Sequence, residues 1–148
     1  LHSLRDVAAR SARFVNRELG AGTRVLLDQL LEESMISSEQ LPGYAEAEPS
    51  HAAVAARIAS GRADAGLGIQ SAAERQGLSF VPLCAENYWL VCLKSALDTP
   101  SVRALRLQLQ EQAWQQALTA IAGYQLHASG EIESLKRVLP WWRAKRSA

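Results

Sequence analysis

Residues 13–28 constrain this chain most: Arg13-Phe14-Val15-Asn16-Arg17-Glu18-Leu19-Gly20-Ala21-Gly22-Thr23-Arg24-Val25-Leu26-Leu27-Asp28. They read as strand, glycine loop and helix. Phe14 and Val15 favour a strand within a short apolar run. Gly20 and Gly22 break that run and allow tight or left-handed backbone. Val25, Leu26, Leu27, Leu30 and Leu31 then recur at helical spacing. A loop that enters a helix this way presents unpaired backbone N–H groups at the positive end of the helix dipole, where an anion is favoured. Thr23 can add a hydroxyl donor there, and Arg17 and Arg24 can add guanidinium forks that suit oxyanions. The competing reading is a plain strand-to-helix turn. Gly20-Ala21-Gly22 has no third glycine and no following Lys-Ser/Thr pair. It is therefore neither a dinucleotide fingerprint nor a P-loop.

A chain of 148 residues suits one domain or two small lobes with a real core. Its net charge of +1 gives no reason to expect nucleic acid over the whole surface. No apolar run approaches the roughly 20 residues of a membrane span, so no membrane partner is expected. Leu1 to Asp6 does not read as a signal peptide. Cys84 and Cys92 form neither a disulfide framework nor a zinc pattern. Free buried thiols are the expectation, and with it a cytoplasmic location.

The remaining pattern alternates. Leu4 to Arg10 reads as a short helix, Arg13 to Asn16 as the first strand and Gly22 to about Ser34 as a long helix. Leu41 to Tyr44 is expected to be extended, and Ala45 to Pro49 an acidic loop. Ser50 is an N-cap for a helix from His51 to Ser60, which Gly61 ends. Ala63 to Ile69 is a strand buried on both faces, Ser71 to Gln76 a helix closed by Gly77, and Leu78 to Leu83 and Tyr88 to Leu93 are further strands. Beyond Pro100, helices are expected over residues 101–109 and 111–122, an extended piece over 124–127, and a short amphipathic segment over 132–139. Strands alternating with helices argue for an α/β fold whose ligands sit at the carboxyl ends of strands. The loop after Asn16 is such a place.

Several blocks then carry a resemblance. Phe14-Val15-Asn16-Arg17 with Gly22-Thr23-Arg24-Val25-Leu26-Leu27-Asp28 is followed in order by Pro42-Gly43-Tyr44, Ser50-His51-Ala52-Ala53-Val54-Ala55 and Ala59-Ser60-Gly61-Arg62-Ala63-Asp64-Ala65-Gly66-Leu67-Gly68-Ile69. Residues 78–83, Glu86-Asn87-Tyr88 and Gly123-Tyr124 come after these. Over about residues 3–130 the chain resembles the periplasmic-binding-protein-like domain found fused to helix-turn-helix regulators and to molybdopterin-biosynthesis proteins. The resemblance implies a type II binding-protein fold of two α/β lobes around a ligand cleft. It further implies a sensor role for a small ligand such as molybdate, tungstate or a molybdenum-cofactor species. The expected layout is one complete α/β lobe over residues 1–93, with the glycine-loop anion site and a crossover strand, and a C-terminal helical segment over 94–148 that belongs to or replaces an incomplete first lobe. Two departures stand out. The family pattern is Gly-Ser-Gly-Thr-Arg, and here Ala21 replaces the serine, which removes one hydroxyl donor. The chain also starts where the second lobe of that fold starts.

The candidate ligand-binding residues are Asn16, Arg17, Gly20, Ala21, Gly22, Thr23, Arg24, Tyr44, Ser50, His51, Glu86 and Tyr88. Several have a structural alternative. Arg17 and Arg24 clamp an anion or are surface charges; His51 faces a cleft or caps its helix; Tyr44 reaches the cleft or packs. Glu86 and Tyr88 touch ligand or form hinge hydrogen bonds. No enzyme is expected. His2, His51 and His127 lack metal-ligand spacing, and there is no Gly-x-Ser-x-Gly elbow; no cofactor is expected either. The alternative function is an interaction or dimerisation module that has lost ligand binding. The aromatics Trp114, Trp141 and Trp142, with Leu118 and Ile121, carry apolar surface that needs cover. The expectation is that residues 101–142 fold back on the α/β lobe or bury against a second copy in a homodimer, and the homodimer is favoured. Trp141-Trp142 and the basic tail read as a packed aromatic end, without direct nucleic-acid contact.

Overall fold

The computed structural model describes residues 1–139. Trp141, Trp142 and the basic tail lie outside the described residues. The chain divides into two compact units, Leu1–Glu86 and a second from Asn87 onward.

The first unit is a parallel sheet with helices on both faces. Its elements run α1 (Leu4–Ala9), β1 (Phe14–Arg17), α2 (Gly22–Glu33), β2 (Ala47–Glu48), α3 (His51–Ala59), β3 (Ala65–Gly66) and α4 (Gln70–Arg75), with a 3-10 turn at Ser38–Gln40. The strand order is β2-β1-β3 and both pairings are parallel. Arg17 lies opposite Glu48, and Val15 opposite Gly66. β1 is the central strand, so its alternate side chains enter different cores. Phe14 joins Val7, Leu27, Leu31 and Leu41, beneath α1 and α2. Val15 joins Val54 and Ala63, with Ile58 of α3 against them. Each fully buried large aliphatic contributes about 1.5–3 kcal/mol.

Local chemistry sets the helix ends. The Ser3 hydroxyl accepts from the Asp6 N–H to start α1. The Ser50 hydroxyl accepts from the Ala53 N–H at 3.1 Å to start α3. Gly61 and Gly77 follow α3 and α4 with φ of +70° and +65°, the left-handed turn that glycine accepts. The approach of chain to sheet is closest at Gly43. Its φ is +87°, and a Cβ there would run into the Phe14 carbonyl. The Phe14 N–H in turn donates to Pro42 O at 2.6 Å.

The second unit holds α5 (Pro100–Gln110), α6 (Gln112–Thr119) and α7 (Leu135–Val138), with a 3-10 turn at Lys94–Ala96. Proline opens α5 at its first position, where the missing N–H costs nothing. The Ser129 hydroxyl donates to Leu109 O at 2.7 Å, and Arg106 Nε donates to Gly130 O at 3.3 Å, which ties the 129–130 turn to the end of α5.

Several expectations need correction. The strand expected over residues 63–69 is only Ala65–Gly66, and β1 is shifted to Phe14–Arg17. Residues 41–44 are a turn, and the second strand lies at Ala47–Glu48, inside the stretch expected to be a loop. Its polar sequence gives no strand signal. It is held from outside by Arg57 of α3, which pairs with Glu46 and, at 3.1 Å, with Glu48. Residues 78–83 and 88–93 form no strand. An apolar β-prone run needs a neighbouring strand to become one, and none pairs with them among the described residues. Cys84 and Cys92 go with them: both are free but exposed, not buried.

Candidate functional site

Because the three strands are parallel, their carboxyl ends lie at one edge of the sheet, and α2, α3 and α4 each begin just beyond that edge. This is where open α/β sheets hold their ligands. Two of these helix starts carry expected site residues, and their chemistry differs.

At the start of α2, Ala21 is the N-cap residue and supplies no side-chain cap. A serine there would offer its hydroxyl to the first turn. Arg24 N and Val25 N donate to Ala21 O at 2.9 and 3.2 Å, the ordinary opening bonds of a helix. A Cβ added at Gly20 or Gly22 would meet nothing within 4 Å. The glycine loop therefore borders open space, with Thr23 half-buried beside it.

Arg24 stands elsewhere. It is 8% exposed, an unusual value for a cation. Its guanidinium lies 4.2 Å from the centre of the Tyr44 ring, and its Nε donates to Asp28 Oδ1 at 3.2 Å. The Tyr44 hydroxyl donates to the same Asp28 oxygen at 2.6 Å. That hydrogen bond, followed by burial, pushes the Tyr44 hydroxyl above its ordinary pKa, against the opposing pull of Arg24. Arg24, Asp28 and Tyr44 thus form a closed set that fastens the first turns of α2 to the Pro42-Gly43-Tyr44 turn. Asn16 is likewise committed to protein: buried in β1, its amide N–H donates to Tyr44 O at 3.1 Å and its Oδ1 accepts from Arg17 N at 2.9 Å.

Arg17, Ser50 and His51 come together at the other helix start. Arg17 Nε donates to Glu48 O at 3.2 Å, and its Nη2 donates to Pro49 O at 3.1 Å. These carbonyls immediately precede the Ser50 cap, so the guanidinium is fixed beside the mouth of α3. His51 is the first residue of α3. Gly68, just past β3, faces its ring: a Cβ there would lie 3.8 Å from Nδ1. Burial pulls the His51 pKa below its ordinary 6.5, Arg17 pulls it further, and Glu86 acts in the opposite sense. Arg17 at the end of β1 and Gly68 just past β3 thus both bear on the His51 imidazole. Exposed Glu86 ends the first unit, while Tyr88 belongs to the second, where its ring stacks on Tyr124 at 6.5 Å. Among the described residues no group of three His, Cys, Asp or Glu is placed to hold a metal ion.

The chain matches the PBP superfamily domain over residues 1–110. The chain belongs to the PBP superfamily. Two relatives match as well. One is a Bacillus subtilis (strain 168) protein named "Uncharacterized protein YvgK", 33% identical over 128 residues, which are 86% of this chain and 41% of that protein. The other, from Clostridium pasteurianum, is named "Uncharacterized protein in ferredoxin 2Fe-2S gene 5'region"; it is 29% identical over 109 residues, 73% of this chain and 96% of its own length. The chain thus spans less than half of the Bacillus relative. No solved structure matches it significantly. Membership of this superfamily supports ligand binding.

The sequence reading passed over two participants, Asp28 as the anchor of Arg24 and Gly68 as the neighbour of His51. The first had a visible signal, the Arg24–Asp28 spacing of four on a helix. The second had only a glycine just past a strand.

Proposed function

We propose that this chain is a small-ligand-binding sensor domain that takes an oxyanion at the carboxyl edge of its sheet, within a transcriptional regulator or a cofactor-pathway protein. Molybdate, tungstate and molybdenum-cofactor species are the first ligands to try, on the family resemblance. In this reading the domain binds and does not catalyse. The observation that carries it is Arg17, a cation locked by two backbone carbonyls at the end of the central strand, beside the start of α3. The open glycine loop with its uncapped α2 amides adds a second set of donors at the same edge of the sheet. Calorimetric titration of the full chain with molybdate, tungstate, sulfate and phosphate tests it. Binding of at least one, weakened by Arg17→Ala and strengthened by Ala21→Ser, is the expected result. No heat with any of the four sinks the oxyanion reading.

A second reading, an interaction module that works as a homodimer, has its own support. Buried apolar side chains among the described residues all lie in the first unit, at or before Ala63. Meanwhile Leu90, Val91 and Leu93 are 71–75% exposed. Such a run exceeds what a soluble surface ordinarily leaves in water, and a two-fold partner is the commonest cover. Sedimentation velocity at micromolar concentration decides it: a dimer that Leu90→Lys dissociates supports this reading, and a clean monomer removes it.

A further inference from the structure

Asn87-Tyr88-Trp89-Leu90-Val91-Cys92-Leu93 is an uncharged run, closed by Glu86 on one side and Lys94 on the other. Tyr, Trp and Val are strand formers. Among the described residues no backbone N–H from Trp89 to Leu93 donates to a backbone carbonyl, and of their carbonyls only that of Leu93 accepts, from Ala96 N at 2.9 Å. Leu90, Val91 and Leu93 stand largely in water, and Cys92 is exposed. The run thus has the side chains and the open main chain of a sheet strand with no strand beside it. In that condition a segment pairs with another chain.

The flanking charges say which chain. Glu86 and Lys94 each lie four residues from Leu90. Side chains alternate along a strand, so Glu86, Leu90 and Lys94 fall on one face. Two copies paired antiparallel about a two-fold axis at Leu90 set Glu86 of each copy opposite the partner's Lys94. The same register sets Trp89 opposite the partner's Val91, an aromatic against a β-branched residue, and Leu90 opposite itself. Such cross-strand pairs are favourable, whereas like charges directly opposite are not. Parallel pairing in register would put Glu86 on Glu86 and Lys94 on Lys94.

We propose that residues 86–94 of two copies pair antiparallel about a two-fold axis at Leu90, so that a β-ribbon joins the homodimer. This rests on the homodimer reading above and names its contact and its register.

The first test uses the full chain carrying Cys84→Ser and Cys92→Ser, to which Leu90→Cys or Val91→Cys is added. Residues directly opposite on an antiparallel pair lie within disulfide reach. The two copies of position 91 are instead offset by two residues, about 7 Å along the strand, which with about 5 Å between strands is beyond that reach. With glutathione disulfide as oxidant, Leu90→Cys is expected to give a covalent dimer on a non-reducing gel, and Val91→Cys little or none. The second test is sedimentation velocity of the chain with its own cysteines. Glu86→Lys turns two attractive cross-strand pairs into two repulsive ones and should raise the dimer Kd about tenfold. Adding Lys94→Glu exchanges the charges and should restore it. Circular dichroism confirms that each variant is folded. A dimer that Val91→Cys cross-links as readily as Leu90→Cys, that Glu86→Lys leaves unchanged, or that the charge exchange fails to restore overturns this inference and leaves the homodimer reading standing. A monomer at micromolar concentration overturns both.

Discussion

Gly66 should be a sensitive position in the fold for a reason unrelated to backbone freedom. It sits in β3 opposite Val15, and a Cβ there would lie 2.8 Å from Val15 O, 2.8 Å from Val54 Cγ1 and 3.0 Å from Val15 Cγ1. Two of these neighbours belong to the central strand and one to α3. The strand oxygen cannot yield without disturbing the sheet, so Gly66→Ala must push α3 outward. Overpacking of this kind costs about 1–3 kcal/mol. For a unit of this size that corresponds to a fall in Tm of roughly 4–24 °C. Gly22→Ala makes the same chemical change where nothing lies within 4 Å. There alanine restricts the unfolded chain and favours the helix, so stability should hold or rise by up to about 1 kcal/mol. Thermal unfolding by circular dichroism, with urea titration as a second measure, compares both variants with the native chain. If Gly66→Ala melts with the native protein, or Gly22→Ala is the more damaging change, the packing of α3 on β1 and β3 is not as described. Displacement of α3 also moves His51, so Gly66→Ala should weaken any oxyanion binding more than its loss of stability alone explains.

Other outcomes follow from the same geometry. Ser50→Ala removes the cap of α3 and should cost about 1 kcal/mol, with Ser50→Gly milder, as read by urea midpoints. Tyr44→Phe leaves Asp28 without its shortest hydrogen bond but keeps the Arg24 stack, so a loss of about 1 kcal/mol is expected. A Tyr44→Phe variant as stable as the native chain would show that the Arg24–Asp28–Tyr44 set does not fasten α2. Acid should weaken the fold in two windows. The unfolded chain protonates His51 near 6.5 while the folded site resists, so stability declines as pH falls below that value, and His51→Leu should abolish this step. Hydrogen bonds from Arg13 hold Asp64 down to about 2, against an ordinary 3.8. Its small, exposed contribution is therefore full above 3.8 and fades as pH falls towards 2. Stability that stays flat across both windows contradicts these assignments.

How much of this was legible in the sequence depended on whether the signal was local. The α3 helix was readable from Ser50 and Gly61, and the helix after the glycine loop from Leu27 and Leu31, because caps and spacing lie within the element itself. The placement of Arg17 followed from the rule about strand ends. What was not legible depended on distant partners. β2 is a strand through its pairing with β1, and Arg57, from the next helix, pairs with Glu46 and Glu48 beside it. Arg24 reads as a ligand clamp until Tyr44, twenty residues on, is seen to cover it. Residues 78–83 and 88–93 read as strands because the pattern reports what a segment prefers, not whether an edge is available to it.

Amide-resolved NMR of the full chain, titrated with inorganic phosphate and then molybdate, most directly tests whether the carboxyl edge of the sheet binds oxyanions. Saturable shifts concentrated at Gly22, Thr23, His51, Ala52 and the Arg17 side chain are the predicted result. A spectrum that does not move with either anion, or shifts that fall elsewhere on the chain, would contradict it.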